Sequence, residues 1–413
     1  MSTDSMPILI EDLPVRKQSL RIAVVTETYP PEINGVANTV AQVVEGLRRR
    51  DHQIQLVRPR QAPHEIGSEQ TDLHQTLTGS LPIPRYPSLK MGMPARRALT
   101  RLWTQARPDV VHVVTEGPLG WSAIQSAIRL GIPVVSDFRT NFHAYSKHYG
   151  VGWLRKPILG YLRKFHNRTA CTMVPTEGMR LMLCDLGFHN VRVIARGVDT
   201  HLFSPVRRSR TLRVSWGAEE HAPVILHAGR LASEKNPEAL IHAHAQIRQR
   251  VPTARFVIVG DGPARAYLEQ HCPGAVFAGS RTGEDLAAHF ASADIFLFPS
   301  LTETFGNVTL EAMASGLAVV AFDYGAAGKY IRHGANGLLA QSEDPAAFQR
   351  LALDLAGNLS LARSLGASAA IDTQALSWDS IVLELEGVLR ATSTHQQPGD
   401  RFMERTAGQF MAR

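Results

Sequence analysis

Short apolar runs alternate with longer amphipathic segments along most of the chain. Residues 21–26 form a continuous apolar run, a turn rich in proline and glycine follows, and a helical pattern extends from about Val36 to Arg50. A second series of this kind begins at Val224 and includes apolar runs at residues 256–259, 276–278, 295–298 and 318–321. Uninterrupted apolar runs that alternate with helices are typical of parallel strands covered on both faces. The pattern therefore predicts an α/β protein whose two halves are each doubly wound.

Two Rossmann-like domains are expected, because 413 residues are more than one hydrophobic core usually organises. We place the first domain at residues 21–203, after an N-terminal extension at residues 1–20, and the second at residues 204–376. A final helix at residues 377–393 and a mobile tail at residues 394–413 complete the chain. The carboxyl ends of the strands in both domains are expected to line a shared cleft, where ligands bind.

Two regions are expected to connect these elements. Residues 59–90 are polar and rich in Pro, Gly and Gln with little periodicity, so they are expected to form a loop. The basic stretch Arg207–Arg213 is expected to belong to the linker between the domains. Neither region is therefore expected to contribute to the core.

The cellular setting follows from the cysteines and from the length of the apolar runs. Cys171, Cys184 and Cys272 show no short spacing, which favours a reducing compartment over a disulfide framework or a zinc cluster. Runs such as Ile22–Val25 fall well short of the roughly 18–20 residues that span a bilayer. The N-terminus, with acids before any apolar stretch, does not resemble a secretory signal. We therefore expect a cytoplasmic protein without a transmembrane helix.

Charge is distributed unevenly along the chain. Residues 1–200 contain 25 Lys and Arg against 16 Asp and Glu, a balance of +9, whereas residues 201–413 contain 19 against 21, a balance of −2. A basic first half favours an anionic surface or substrate facing that half. A solvated surface rich in arginine is the alternative, and no aromatic stacking motif points to nucleic acid.

Several common cofactor motifs do not occur in the chain. No Gly-x-Gly-x-x-Gly follows the first apolar run and no Gly-Lys-Ser/Thr loop is found, so neither nicotinamide nor P-loop nucleotide chemistry is indicated. The sequence also contains no Asp-x-Asp pair and no His-Glu-x-x-His segment. It therefore predicts no cofactor and no metal ion.

The densest candidate signal is the segment from Glu303 to Glu311, which follows a buried apolar run. Gly306 lets the backbone approach a ligand closely, and Asn307 begins a helix whose unpaired N–H groups suit a phosphate. Glu303 precedes this turn and Glu311 lies inside the helix, so the two carboxylates reach different parts of one elongated ligand. Their position after a buried strand favours a ligand site over an ordinary helix surface.

A cationic pair, Arg230 and Lys235, comes from the loop that follows the apolar run at Val224–His227. Two cations at this edge of a sheet would neutralise a diphosphate, the guanidinium through its fork of N–H groups and the lysine as a point charge. A pair of solvated loop cations is the alternative. The first βα loop adds a weaker signal, because Gly35 permits close approach of the backbone to a substrate.

Together these segments resemble glycosyltransferase family 4. The resemblance covers about residues 20–390 and rests on Glu303–Glu311, Gly229-Arg230 with Glu234-Lys235, Val259–Pro263 and the Pro-Pro-x-x-Asn-Gly loop. It is nearest to glycolipid-forming GDP-mannose-dependent α-mannosyltransferases and to sulfoquinovosyl-diacylglycerol synthases. It implies a retaining enzyme of the GT-B fold, in which two Rossmann-like domains face each other across a cleft and a C-terminal helix crosses back to the first domain.

The resemblance also implies a role for each candidate residue of the donor site. Arg230 and Lys235 would hold the donor diphosphate in place of a metal ion, and Gly35 would lie beneath it. Glu311 would accept hydrogen bonds from the ribose, and Glu303 would accept them from the sugar hydroxyls. The remaining donor-binding candidates are Gly229, Asp261, Phe305, Gly306, Asn307 and Val308.

One position departs from the family pattern. Relatives carry a histidine in a His-Thr-Asn-Phe segment, whereas this chain reads Arg139-Thr-Asn-Phe-His143. Arg139 cannot act as a base, since arginine keeps its proton at physiological pH, but it can hold a phosphate or a sugar hydroxyl. His143 either replaces the missing imidazole, serves the acceptor or is an ordinary structural histidine. Both residues are catalytic candidates beside Glu303, Arg230 and Lys235.

The implied reaction moves a hexose from GDP-mannose or a UDP-hexose to an acceptor hydroxyl, by a front-face attack that needs no metal ion. The acceptor is expected to be a membrane glycolipid or diacylglycerol. A sugar-nucleotide epimerase or hydrolase of the same fold is one alternative. A transferase with a soluble or polysaccharide acceptor is another.

A basic and aromatic helix in the first half is the candidate acceptor surface. Residues 152–168 combine aromatic and aliphatic bulk with flanking cations, as helices in a membrane interface do. The surface is assigned to Trp153, Arg155, Lys156, Arg163, Lys164 and Phe165. A helix whose apolar side faces the core is the alternative. We expect the protein to lie peripherally on the anionic inner face of the cytoplasmic membrane.

Overall fold

The computed structural model describes residues 18–32, 34–62, 64–83, 86–139, 155–303, 305–342 and 344–394. The strands within these ranges are β1 Arg21–Val25, β2 Gln53–Pro59, β3 Leu73–Thr78, β4 Ser80–Ile83, β5 Tyr86–Gly92, β6 Val110–Val113, β7 Val134–Asp137, β8 Cys171–Val174, β9 Val191–Val193, β10 Val224–Ala228, β11 Arg255–Val259, β12 Val276–Gly279, β13 Ile295–Phe298, β14 Ala318–Phe322 and β15 Gly337–Ala340. The helices are α1 Gly35–Arg48, α2 Arg96–Gln105, α3 Pro118–Arg129, α4 Arg155–His166, α5 Glu177–Asp185, α6 Arg210–Ser215, α7 Pro237–Arg250, α8 Arg265–His271, α9 Gly283–Ser292, α10 Asn307–Ala314, α11 Gly325–Tyr330, α12 Pro345–Ala356, α13 Leu359–Thr373 and α14 Trp378–Thr394.

The first sheet is parallel, with the strand order β3-β2-β1-β6-β7-β8-β9. All of β1 after Arg21 is buried, which is why this run is continuously apolar. Asn34 caps the N-terminus of α1, because its side-chain oxygen accepts the N–H groups of Val36 and Ala37 at 3.1 and 2.8 Å. Apolar clusters cover the sheet on both faces, as expected for a doubly wound domain.

The second sheet is also parallel, with the order β12-β11-β10-β13-β14-β15. One apolar cluster surrounds Phe296 and Leu310, and another surrounds Leu297 and Phe348. The chain changes direction across the sheet between β10 and β13, and open α/β sheets bind ligands at such a switch point. The loops after these two strands meet at the carboxyl edge of the sheet and position the candidate site.

The expectation of a loop over residues 59–90 is wrong. Strand β3 extends the first sheet by pairing in parallel with β2, and β4 and β5 form an antiparallel pair. In β3, the edge strand, only Leu73 and Thr78 are buried. Its sequence therefore lacks the continuous apolar run by which the central strands are recognised.

The basic stretch Arg207–Arg213 packs on the second domain and is not a free linker. Arg213 is buried and donates to Asp294 Oδ2 at 3.0 Å and to the Ala222 carbonyl at 2.8 Å. Arg208 donates to the other oxygen of Asp294 at 2.7 Å. A buried carboxylate needs charged or hydrogen-bonding partners, and these arginines supply them.

The last helix, α14, lies against the first domain. Glu386 forms an ion pair with Arg50, and a Cβ on Gly46 would come within 2.6 Å of a methyl group of Val382. The N–H of Val198 donates to the carbonyl of Leu376 at 2.9 Å, so the two segments that connect the sheets run side by side. The expected return of the C-terminal helix to the first domain is confirmed.

Candidate active site

The segment after β13 turns sharply into α10. Gly306 precedes the helix with a φ of +91°, a left-handed conformation that favours glycine. A Cβ at this position would lie 3.2 Å from the Phe298 ring and 3.4 Å from Glu303 Cγ. Phe305 is buried, and its carbonyl accepts the N–H of Ala326 at 2.7 Å. The turn thereby places Glu303 and the first N–H groups of α10 at the same edge of the sheet.

Lys235 and Glu303 form an ion pair although they are distant in sequence. Their loops follow β10 and β13, and the parallel pairing of these strands brings the loops together. Thr302 Oγ1 adds a bond between the loops, because it donates to the carbonyl of Glu234 at 2.8 Å. Arg230 forms an ion pair with Glu234, and its side chain is 52% exposed. The structure thus places the two sequence-predicted cations on one loop, with Glu303 bound to one of them.

Two glycine loops lie directly against each other in the second domain. Gly229 and Gly260 adopt φ values of +146° and +134°, and a Cβ on Gly260 would lie 1.9 Å from the Gly229 carbonyl oxygen. The Asp261 carboxylate accepts the N–H of Gly262 at 2.8 Å and a guanidinium N–H of Arg265 at 3.0 Å. These donors lower the pKa of Asp261. Asp261 therefore orders the loop beside Gly229, and its carboxylate bonds to neighbours along the chain.

Two ionisable groups of the second domain are desolvated. Burial raises the pKa of Glu311, on α10, to about 7, because the charged carboxylate is disfavoured away from water. Burial and the charge of Lys235 lower the pKa of His227, at the end of β10, to about 4, and its Nδ1 lies 3.0 Å from the Leu297 carbonyl oxygen. His227 was not predicted from sequence, and a histidine within an apolar strand is the only signal that marks it. It is neutral at physiological pH.

The two domains approach each other at two helix starts. Gly35 is the first residue of α1, and a Cβ on it would lie 4.0 Å from Nδ2 of Asn307, the first residue of α10. Oδ1 of Asn307 is buried and has no hydrogen-bond partner in the described part of the chain. Val308, in the first turn of α10, packs against the core of the second domain. Gly35 therefore faces the second domain across the cleft.

The first-domain wall of the cleft is built around Asp137, at the end of β7. Arg139 forms an ion pair with Asp137, and its backbone N–H donates to Glu116 Oε1 at 2.6 Å. His112 Nε2 lies 3.4 Å from Asp137 Oδ2. Burial opposes ionisation of Asp137, but the charges of Arg139 and His112 hold its pKa well below the ordinary value. His143 lies outside the described residues.

Arg196 was also not predicted from sequence. It follows β9, is buried, and its guanidinium lies over the ring of Phe305 from the second domain, 5.6 Å from the ring centre. It lines a cavity together with His112, Asp137 and Arg139. An arginine in a polar connecting segment carries no signal of such a position, because only the packing of the two domains creates it.

The candidate acceptor helix divides into a basic face and a core face. Lys156, Arg163 and Lys164 are exposed, whereas Phe165 is fully buried in the core of the first domain beside Trp121. The assignment of Phe165 to an exposed surface is therefore wrong, because helical periodicity turns this residue inward. Trp153 and the side chain of Arg155 lie outside the described residues. Within the described ranges, no helix combines the length and the hydropathy that spanning a bilayer requires.

Comparison with protein families gives two matches that together follow the two domains. Residues 33–202 match a family described as Glycosyltransferase Family 4. Residues 222–358 match a family described as Glycosyl transferases group 1. The second match contains the loops that carry Arg230, Lys235 and Glu303.

Individual proteins align with most of the chain. The chain is 35% identical over 324 residues to a GDP-mannose-dependent alpha-mannosyltransferase of Mycobacterium tuberculosis, and the aligned region covers 78% of this chain and 83% of the relative. An alpha-monoglucosyldiacylglycerol synthase of Streptococcus pneumoniae is 25% identical over 315 residues, 73% of this chain and 71% of the relative. The solved sucrose-phosphate synthase of Thermosynechococcus elongatus superposes with a TM-score of 0.75 at 19% identity, over 90% of this chain and 98% of that one. This structural likeness confirms the expected GT-B arrangement.

Proposed function

The chain belongs to glycosyltransferase family 4, and from this premise we propose that it is a retaining transferase whose donor is a nucleoside-diphosphate sugar. The hexose passes to a hydroxyl of a lipid acceptor, and no metal ion takes part. The observation that carries the proposal is the ion pair of Lys235 and Glu303 beside the glycine-capped start of α10. A cation, a carboxylate and a helix N-terminus are the groups that a sugar linked to a pyrophosphate requires.

Binding of the donor exchanges partners within the site. In the structure, Glu303 neutralises Lys235 and Glu234 neutralises Arg230. With donor, both cations turn to the diphosphate oxygens, and Glu303 accepts hydrogen bonds from the sugar hydroxyls. Negative charge on the diphosphate grows as the bond to the sugar breaks. The cations therefore stabilise the transition state more than the bound substrate, which is the condition for catalysis.

Retention follows from attack on the face that the diphosphate leaves. The acceptor oxygen bonds to C1 of the sugar while the bond between C1 and the diphosphate oxygen breaks, and the hydroxyl proton passes to that departing oxygen. No carboxylate nucleophile is needed, so the protein positions the substrates and stabilises charge. Arg139 contributes to the first-domain wall through Asp137 and Glu116. His143 either replaces the family imidazole or serves the acceptor.

The donor is GDP-mannose or a UDP-hexose, and the name of the mycobacterial relative favours GDP-mannose. Thermal shift with GDP-mannose, UDP-glucose, UDP-galactose and UDP-glucuronate at equal concentrations identifies it, because the ligand that binds most tightly raises Tm the most. We expect one of these donors to raise Tm, and Lys235→Ala to abolish the rise. Arg281→Ala is the matched control, since Arg281 is an exposed cation of the same domain paired with Asp285. A rise that persists unchanged in Lys235→Ala contradicts the proposal.

The acceptor is reached at a membrane surface. Lys156, Arg163 and Lys164 form an exposed basic face on α4, and the charge excess of residues 1–200 has the same sign. Cations near an anionic bilayer attract it, which suits a peripheral protein on the inner face of the cytoplasmic membrane. The name of the Streptococcus pneumoniae relative supports an acceptor that contains diacylglycerol.

A further inference from the structure

Arg196 is a buried cation at the boundary between the two domains. Only 8% of its surface is exposed. Its guanidinium lies over the ring of Phe305 in the second domain, while its neighbours in the cavity, Asp137 and Arg139, belong to the first. The side chain therefore contacts both walls of the cleft.

The other cations described above at the cleft each have an acidic partner. These pairs are Lys235–Glu303, Arg230–Glu234 and Arg139–Asp137. Across the described ranges, no ion pair or hydrogen bond joins the Arg196 guanidinium to another group, although the charges of the Asp137 and Glu303 carboxylates act on it. Burial lowers the pKa of Arg196 well below its ordinary value and the charge of Arg139 adds to this effect, whereas the charges of Asp137 and Glu303 oppose it only in part. A buried guanidinium without a directly hydrogen-bonded partner is costly, so this position favours an anion that bonds to it directly.

We infer that Arg196 binds a phosphate group carried by the acceptor. The inference rests on the proposed function and narrows its acceptor to a phosphate-bearing molecule. A guanidinium offers a planar fork of N–H donors that matches phosphate oxygens, and this one lies over the Phe305 ring at the domain boundary. Because Phe305 belongs to the loop that carries Glu303, a phosphate at Arg196 lies beside the loop assigned to the donor sugar.

The location of Arg196 separates this phosphate from the donor diphosphate. Arg230 and Lys235, the cations assigned to the donor, come from the loop after β10 in the second sheet. Arg196 follows β9, the last strand of the first sheet, and shares its cavity with the ends of β6 and β7. The acceptor is expected on the first-domain wall, so an anion bound there belongs to the acceptor.

Thermal unfolding of the full chain tests the inference. The protein is saturated with GDP, which occupies the donor diphosphate site, and is then titrated with inorganic phosphate. We expect phosphate to raise Tm of the wild-type protein further and to have no such effect on Arg196→Met. In phosphate-free buffer, Arg196→Met is expected to have a higher Tm than wild type, because an unpaired buried charge is replaced by an apolar chain of similar length. If Arg196→Met has a lower Tm than wild type in this buffer, Arg196 stabilises the fold as a structural cation, and the inference is wrong.

Two comparisons make each outcome decisive. Arg129→Met, which removes an exposed cation of α3, is expected to keep the phosphate response. A phosphate response that persists in Arg196→Met, or that is absent from the wild-type protein, overturns the inference. Loss of the GDP response in Arg196→Met also overturns it, because Arg196 then belongs to the donor site. Failure of the proposed function is separate, since it appears as a GDP response that Lys235→Ala leaves intact.

Discussion

The two walls of the cleft are built in different ways. On the second-domain wall, the charged residues come from two adjacent βα loops, and each cation is neutralised by an acid of the same loops. On the first-domain wall, His112, Asp137 and Arg196 come from the ends of three different strands and are largely buried. The second-domain wall therefore depends on one pair of adjacent strands, whereas the first-domain wall depends on the order of several strands across the sheet.

The largest expected effect comes from removing a cation of the second-domain wall. Lys235→Ala is expected to lower turnover by about 2–4 kcal/mol of transition-state stabilisation, on the scale of a lost oxyanion donor. Steady-state kinetics with the donor found by thermal shift measures this loss, with Arg281→Ala as control. Turnover equal to that of wild type would exclude the assigned role of Lys235.

A second prediction concerns the attachment of α14 to the first domain, on residues outside the cleft. Burial opposes ionisation of Glu386, but hydrogen bonds from Arg390 and Arg50 lower its pKa from 4.5 to about 2. Since the folded-state pKa is depressed, this stabilisation is complete above about pH 4.5 and is lost as the pH falls toward 2. We expect a loss of roughly 2–3 kcal/mol in the free energy of unfolding over this range.

Urea unfolding at a series of pH values measures that loss. Glu386→Gln removes the titrating group, so its stability is expected to fall less steeply between pH 5 and 2. Glu269→Gln, an exposed substitution in the second domain, is expected to retain the wild-type slope. If the free energy of unfolding of wild type and of Glu386→Gln depends on pH with the same slope, the attachment of α14 to the first domain does not depend on this carboxylate.

A third prediction sharpens the description of the donor wall. The pKa of Glu311 is about 7 because of burial. Ribose hydroxyls donate stronger hydrogen bonds to the ionised carboxylate than to the neutral acid. As the pH increases toward 7, nucleotide affinity is therefore expected to increase by up to about tenfold per pH unit. Above pH 7 the affinity is expected to level off. Isothermal titration with GDP measures the profile, and Glu311→Gln is expected to flatten it. A wild-type profile that is already flat from pH 5.5 to 8 contradicts the role of Glu311.

The smallest expected effect tests the outer surface of the first domain. Lys164→Gln removes one cation from the basic face of α4 and is expected to weaken binding to anionic vesicles by about 1 kcal/mol at low salt. Arg250→Gln, on α7 of the second domain, is the matched control. Sedimentation with vesicles measures both variants. Absence of vesicle binding by the wild-type protein at low salt rejects membrane docking, since electrostatic attraction is strongest there.

Sequence reasoning located residues correctly where they lie within contiguous segments. Glu303 and Gly306 lie in one strand-to-helix turn, and Lys235 lies in the loop after the neighbouring strand. Their position at one edge of the sheet could therefore be inferred. It failed for β3, whose side chains are mostly not buried, because an edge strand need not be apolar. It failed also for Phe165, because helical periodicity identifies an apolar face but not what covers that face.

The amino-acid sequence by itself determined the α/β class, the two parallel sheets and the loops that hold Lys235 and Glu303. These properties depend on local periodicity and on short-range turn chemistry, which neighbouring residues encode. Only the tertiary structure decided that Arg196 and Phe305 meet across the domain boundary, and that Asp137 lies between Arg139 and His112. Contacts of this kind arise from sheet pairing and domain packing between residues far apart in the chain, and no local pattern records them.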